Sequence, residues 1–209
     1  MSFGFDELKA RLNTAEQWRA DSSGQASDGL NHAAVLVLMT DEPDPRMTFI
    51  ERSQSLRNHA GQIAFPGGGL EPEDSGPTAA ALREANEEVG LDPSRVTVLG
   101  QLPVATIPVS SFDVTPVVGT WDGSEELVPH DSGEVASVFQ VAISELVNPA
   151  RRITAFHPAG YRGPAWQLGD LFLWGFTAQL LDHTLRIAGW ERDWDTENTV
   201  RVPARFMRR

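Results

Sequence analysis

The stretch FPGGGLEPEDSGPTAAALREANEEVGL, residues 65–91, joins a glycine-rich loop to a helix that ends in acidic residues. Glu84, Glu87 and Glu88 stand at i, i+3 and i+4, so a helix places all three carboxylates on one face. Like charges at that spacing repel one another unless water or a cation screens them. Taken alone, the three glutamates are typical of a solvated helix face. The alternative is that the three carboxylates gather around a divalent cation, and the neighbouring residues decide between the two.

Residues on both sides of this acidic face define the helix. Ser75 or Asp74 is a candidate N-cap, and Pro77 suits the first helical turn because that position needs no backbone N–H. The pattern predicts a helix over Thr78 to Val89 that stops at Gly90. The apolar positions opposite the carboxylates are Ala81, Leu82, Ala85 and Val89.

Composition and charge limit the classes of function. The 209 residues are enough for one domain with a hydrophobic core, and 41% hydrophobic with 22% charged residues is typical of a globular chain. The net charge of -12 argues against a nucleic-acid partner, because phosphate backbones require clustered Lys and Arg. A small anionic substrate remains compatible with this charge if metal ions and a few arginines mediate its binding.

The chain contains no cysteine, so any metal must be bound by oxygen or nitrogen ligands. This absence suits a reducing compartment, and we expect a cytoplasmic location. No stretch approaches the roughly 20 apolar residues of a membrane span, and the N-terminus lacks a secretory pattern. The sequence therefore predicts no membrane partner.

Helical and strand patterns are mixed along the chain without strict alternation. The predicted helices cover residues 5–20, 78–89 and 173–189. The predicted strands cover residues 33–39, 47–52, 95–102, 112–121, 151–157 and 166–172, with residues 138–146 as a strand that leads into a short helix. The first two strands are expected to form a hairpin. This pattern favours an α+β or layered αβα domain over 31–190, after a helix and loop in 1–30 and before a tail in 191–209.

The spacing around the acidic face resembles the signature of the Nudix hydrolase family, G-x5-E-x7-R-E-U-x-E-E-x-G-U, where U is aliphatic. Gly69 begins the signature, and its later fixed positions are occupied by Arg83, Glu84, Ala85, Glu87, Glu88, Gly90 and Leu91. One position departs, because Ser75 stands where the first glutamate is expected and Asp74 is the nearest carboxylate. In the family that glutamate mostly supports loop and helix geometry. The resemblance implies a Nudix-type αβα sandwich with a mixed β-sheet over residues 31–190.

Flanking residues extend the resemblance to the coenzyme A pyrophosphatase branch of this family. Upstream, the matching pattern is Arg52-Ser53-x3-Arg57-x3-Gly61-x3-Phe65-Pro66-Gly67-Gly68. The branch motif normally opens with L-L-T-x-R, of which this chain keeps only Arg52. Downstream, residues 114–119, 134–135 and 172–178 are also similar to the branch. This implies hydrolysis of coenzyme A or acyl-CoA to 3′,5′-ADP and 4′-phosphopantetheine or its acyl derivative.

The resemblance also implies roles for the residues of the acidic helix. Glu84 and Glu88 are the expected ligands of Mg²⁺ or Mn²⁺, and the backbone carbonyl of Gly68 is expected to complete the shell. Glu87 is a further ligand, a water-mediated ligand or the general base, which the motif does not specify. Arg83 is expected to form an ion pair that orients a glutamate, with direct contact to phosphate as the alternative. Glu84, Glu87 and Arg83 are thus the candidate catalytic residues.

The candidate substrate-binding residues precede this helix. Arg52 and Arg57 are candidates for the phosphates of coenzyme A because a guanidinium binds phosphate through two N–H groups, and structural ion pairs are the alternative. His59 is either a substrate contact or a surface residue of the loop. Gly67 and Gly68 allow the backbone to approach a ligand closely.

Two other functions stay open at this point. The first is a Nudix hydrolase of another nucleoside diphosphate derivative, such as ADP-ribose, NADH or a dinucleoside polyphosphate. The second is a Nudix-fold module that binds a ligand without turnover. In each case the expected partner is a small nucleotide, and the resemblance also allows a homodimer.

Overall fold

The computed structural model describes residues 3–12, 31–56, 58–107, 112–158 and 160–206. The helices are α1 (Phe5–Leu12), α2 (Pro77–Val89), α3 (Ile143–Leu146) and α4 (Gly175–Ile187). The strands are β1 (Asn31–Thr40), β2 (Arg46–Arg52), β3 (Ile63–Ala64), β4 (Gly67–Gly69), β5 (Thr97–Gln101), β6 (Ala105–Ile107), β7 (Phe112–Trp121), β8 (Val135–Ala142), β9 (Arg152–Phe156), β10 (Arg162–Leu168), β11 (Leu171–Leu173) and β12 (Thr199–Arg201). The predicted α+β class is confirmed.

Strand β1 is the centre of the larger sheet, whose path is β3-β2-β1-β7-β5. It pairs in parallel with β7 along its whole length, from Asn31 opposite Phe112 to Thr40 opposite Trp121. Both faces of β1 are covered, which explains why the strand is a continuous apolar run instead of an alternating one.

The two faces of the larger sheet support different helices. Ala34, Leu36 and Leu38 belong to a core that includes Ala81 and Ala85 of α2. The opposite core contains apolar side chains from the same strand, from α1 and from α4, namely Val37, Met39, Leu8, Leu12, Leu180, Leu181 and Leu185. The layers therefore follow the order helix, sheet, helices, and the predicted αβα sandwich is confirmed. None of the described helices is long and apolar enough to cross a membrane.

The second edge of β1 is shared by two strands. Its beginning pairs with the glycine strand β4, and its end pairs with β2 at Met39 opposite Met47. The predicted hairpin of β1 and β2 is therefore limited to the end beside the turn, because β2 pairs mainly with β8 and β3. Because β2 pairs only with the end of β1, strand β4 can lie against both the beginning of β1 and helix α2.

The smaller sheet has the order β11-β10-β9-β12 and corrects the prediction of a C-terminal tail. Strand β12 pairs in parallel with β9, and the apolar side chains of Val202 and Phe206 are buried beyond it. This segment joins the sheet through backbone pairing with the distant strand β9. Its isolated apolar residues form no periodic pattern from which a strand could be predicted. The domain limits at residues 30 and 190 stay predictions.

Other predicted boundaries shift by a few residues. Helix α1 ends at Leu12, and the remainder of the predicted 5–20 helix lies outside the described residues. The predicted strand 166–172 is two strands, β10 and β11, separated by a turn in which Gly169 has φ 61°. Helix α4 begins at Gly175 and not at Leu173.

Candidate active site

Both ends of α2 are set by glycine. The N-cap is Gly76, with φ 148° and no capping side chain, and Pro77 occupies the first turn. This corrects the predicted cap, because Arg83 binds the Asp74 side chain and Ser75 is exposed. Gly90 ends the helix at φ 73°, a conformation that favours glycine, and its N–H bonds the carbonyls of Ala85 and Asn86.

Glu88 is the most deeply buried of the three helix carboxylates, with 3% of the residue exposed. Its Oε2 accepts a hydrogen bond from the backbone N–H of Gly67 at 2.9 Å. Burial raises the pKa of Glu88 to about 7, although the Gly67 N–H opposes that shift. The glycine strand therefore positions the Glu88 carboxyl group, whose protonated and uncharged form is favoured by burial.

Glu84 lies half-buried against the backbone of Gly68. A Cβ atom at position 68 would fall 2.4 Å from Glu84 Oε1, so a larger residue there would displace the Glu84 carboxylate from its present position. Burial raises the pKa of Glu84, Arg83 opposes that shift, and the charges of Glu87 and Glu134 make smaller contributions in the direction of burial. Gly68 and Glu84 are thus adjacent, and the metal shell that the sequence predicts for them stays a prediction.

Arg83 connects the glycine loop to the helix carboxylates. Its Nη1 donates to Glu84 Oε1 at 3.1 Å and to Glu87 Oε2 at 3.0 Å. Its Nη2 donates to the carbonyl of Gly69 at 2.9 Å, and its Nε donates to Asp74 Oδ1 at 3.2 Å. Arg83 therefore forms the expected type of ion pair, whereas its part in turnover stays a prediction.

Glu87 differs from its two neighbours because 55% of its side chain is exposed. The structure brings it to Arg83 on the solvent side of the helix. This exposure suits a contact through water better than a buried ligand position.

Arg52 approaches the same carboxylates from strand β2. The residue is half-buried, and its Nε is buried without a hydrogen-bond partner among the described residues. Its charge lowers the pKa of Glu88, in opposition to the larger effect of burial. The register of β2 against β8 shifts between Glu51 and Arg52, and such irregularities often redirect side chains beside active sites.

The other predicted substrate contacts are less closely connected to the acidic helix. His59 is exposed, has φ 58°, and its Nδ1 bonds Gln62 Oε1 at 3.1 Å. This contact holds the imidazole within its own turn. Arg57 lies outside the described residues.

Glu134 is a site residue that the sequence did not predict. Its charge raises the pKa of both Glu84 and Glu88. The preceding His130 donates its backbone N–H to the carbonyl of Glu88 at 3.0 Å, and Ser53 N–H donates to the Glu134 carbonyl at 2.7 Å. The branch similarity at residues 134–135 was the one available signal, but it gave no indication of proximity to the acidic helix.

These oxygen donors fit a hard divalent cation that also binds water or substrate. Among the described residues, no group of three or more acidic or imidazole side chains is placed to hold a metal ion by itself. A cation here would share Glu84 and Glu88 with backbone oxygen, water or phosphate, which is the usual habit of Mg²⁺. Burial is the main cause of the raised pKa values of both carboxylates, and the positive charges of Arg83 beside Glu84 and of Arg52 beside Glu88 oppose it.

Comparison with known proteins identifies the family. The model of the NUDIX domain matches residues 30–161. The chain belongs to the Nudix family. An uncharacterized Nudix hydrolase named NudL from Yersinia enterocolitica is 39% identical over 176 residues, which cover 79% of this chain and 85% of that protein. NudL of Escherichia coli K12 is 38% identical over 167 residues, which cover 73% of this chain and 81% of that protein.

A solved structure supports the same fold for this Nudix protein. RenU, a Nudix hydrolase from M. smegmatis, superposes with a TM-score of 0.52 at 19% identity and covers 87% of this chain and 99% of its own. This Nudix protein is a hydrolase that acts on phosphoric anhydride bonds. Nudix hydrolases generally require divalent metal ions. The names of the NudL relatives specify no substrate, so the coenzyme A branch stays a prediction.

Proposed function

We propose that this Nudix hydrolase cleaves the diphosphate of coenzyme A or acyl-CoA, releasing 3′,5′-ADP and 4′-phosphopantetheine or its acyl derivative. The observation that carries the proposal is Arg52, the residue that the chain keeps from the opening of the branch motif. Its buried Nε has no hydrogen-bond partner among the described residues, and its charge acts on Glu88. A guanidinium whose Nε is unpaired, beside the helix face proposed to bind the metal, suits a substrate phosphate.

The remaining residues have complementary parts in this proposal. Glu84 and Glu88, with the Gly68 carbonyl, would hold Mg²⁺ or Mn²⁺, which supplies charge neutralisation and water activation when bound. The Gly67 N–H fixes the Glu88 carboxylate, and Arg83 orients Glu84 and Glu87. Arg57, His59 and the backbone of Gly67 and Gly68 remain proposed substrate contacts.

Two carboxylates are candidates for the general base. Glu87 is exposed and bonded to Arg83, so it can contact the water that surrounds the helix. Glu134 acts on Glu84 and Glu88 from another part of the chain, and its residue is also exposed. A base must lie within hydrogen-bond reach of the attacking water. Substitution of each residue by glutamine tests which of the two acts as the base.

A substrate panel tests the proposed reaction. The purified protein with Mg²⁺ or Mn²⁺ is incubated with coenzyme A, acetyl-CoA, NADH, ADP-ribose and a dinucleoside polyphosphate, and the products are separated by chromatography. We expect coenzyme A or acetyl-CoA to be the preferred substrate and to give 3′,5′-ADP. A preference for another diphosphate would replace the coenzyme A assignment, and no turnover of any substrate would favour the binding module.

Arg52→Gln tests the residue that carries this assignment. We expect KM for coenzyme A to rise about tenfold or more, because a charge-assisted contact to phosphate is lost. Arg46→Gln is the matched control, since Arg46 begins the same strand but pairs with Glu42 at 2.7 Å. Equal KM values for the two variants would contradict a substrate role for Arg52.

We also propose a homodimer in the cytoplasm. The resemblance to dimer-forming Nudix proteins supports the homodimer, and the cysteine-free composition supports the cytoplasmic location. Light scattering tests the dimer, whose mass would be twice the 22.9 kDa of one chain.

A further inference from the structure

The loop before α2 brings an unassigned carboxylate onto Arg83. Asp74 Oδ1 accepts a hydrogen bond from Arg83 Nε at 3.2 Å, and Asp74 Oδ2 accepts one from Nη2 at 3.1 Å. Asp74 Oδ2 also accepts from the backbone N–H of Glu71 at 2.8 Å, and 6% of the Asp74 side chain is exposed. A two-pronged contact of this kind orients a planar guanidinium as well as balancing its charge.

The other edge of the same guanidinium faces the proposed metal ligands. Arg83 Nη1 is shared by Glu84 at 3.1 Å and Glu87 at 3.0 Å. The positive charge of Arg83 is therefore divided between Asp74 on one edge and the two helix glutamates on the other, with Glu71 Oε1 farther away at 3.7 Å from Nη1. If Asp74 were neutral, Glu84 and Glu87 would bind the guanidinium more strongly and would be less available to a cation.

We infer that Asp74 is a positioning residue, which holds Arg83 so that Glu84 and Glu87 stay available to a divalent cation. It supplies, from one residue earlier, the carboxylate that the family signature has at the position of Ser75. This inference rests on the proposed metal-dependent function and deepens it. The carboxylate acts through Arg83 and touches neither the cation nor the substrate.

Mn²⁺ binding to the metal-free protein tests this role without any substrate. The affinity is measured by electron paramagnetic resonance of free Mn²⁺ for wild type, Asp74→Asn, the double variant Asp74→Asn/Ser75→Glu, and Glu73→Gln. We expect Asp74→Asn to weaken Mn²⁺ binding about tenfold, as outer-shell substitutions commonly do. The double variant returns a carboxylate to the signature position, so we expect it to recover most of that loss. Glu73→Gln removes the same charge from an exposed neighbour and should bind Mn²⁺ like wild type.

The outcomes separate this inference from the proposed function. Wild type that fails to bind Mn²⁺ overturns both. Wild type that binds while Asp74→Asn binds equally well, or while Glu73→Gln is weakened as much, overturns the inference alone. Thermal unfolding without metal identifies any variant that fails to fold. If Asp74→Asn is such a variant, the double variant decides: near-wild-type Mn²⁺ affinity supports the role of the carboxylate, and weak binding by a folded double variant overturns it.

Discussion

At the residue scale, Glu88 combines burial with a charge that a metal site needs. Its folded-state pKa of about 7 lies above its ordinary value of 4.5, chiefly because burial disfavours the carboxylate. Below pH 4.5 both folded and unfolded states are protonated, so burial has no electrostatic cost. As the pH rises from 4.5 to 7 the unfolded state ionises first, and the metal-free protein loses stability. Above pH 7 that loss is complete.

We therefore expect Glu88→Gln to stabilise the metal-free protein at pH 8 by about 1–3 kcal/mol and to have little effect at pH 4.5. Glutamine keeps the shape and an acceptor for the Gly67 N–H, but it removes the buried charge. Urea denaturation at the two pH values measures the effect, with exposed Glu126→Gln as the control. Added Mn²⁺ should stabilise wild type and not Glu88→Gln. A variant that is less stable than wild type at pH 8 would contradict the raised pKa.

At the scale of elements, the site depends on the contact of strand β4 with β1 and α2. Gly67 has φ 152°, and a Cβ atom there would fall 2.3 Å from the carbonyl oxygen of Ala34. The same residue donates its N–H to Glu88, so its position fixes both the sheet edge and the acidic helix. This double contact explains why a glycine loop and an acidic helix occur together.

We expect Gly67→Ala to destabilise the metal-free protein by about 2 kcal/mol or more, through steric conflict and an unfavourable backbone conformation. Gly69→Ala is the matched control for stability, because a Cβ atom at position 69 meets nothing within 4 Å. Chemical denaturation compares the two variants. Equal stability would show that the glycine strand does not constrain the fold.

At the scale of the whole molecule, the C-terminal segment completes the smaller sheet. Phe206 is 7% exposed, and its ring lies 6.4 Å from that of Phe172 and 6.3 Å from that of Trp174. These rings link β11 and the start of α4 to the residues after β12. The segment is therefore part of the folded domain.

We expect Phe206→Ala to lower the free energy of unfolding by about 3 kcal/mol, the usual effect of emptying a buried aromatic position. Arg201→Ala, an exposed change in β12 itself, should stay within about 0.5 kcal/mol of wild type. Thermal and urea unfolding of both variants measure the difference. If Phe206→Ala does not destabilise the protein, that result would support the C-terminal tail that the sequence predicts.

The sequence by itself determined the parts of this protein that depend on local spacing. Helical periodicity placed Glu84 and Glu88 one turn apart, the apolar run of β1 indicated a buried strand, and Gly90 marked the end of α2. These features depend only on the geometry of a single helix or strand, so the amino-acid sequence is enough to predict them.

Only the tertiary structure decided which distant residues meet that helix. Strand pairing of β2 with β8 and the loop contacts beyond it bring Arg52 and Glu134 close enough to change the pKa of Glu88. The fold also decided that Asp74 binds Arg83, and that β12 joins the smaller sheet. Such contacts arise from backbone pairing and packing between elements, for which neither residue type nor local period carries a signal.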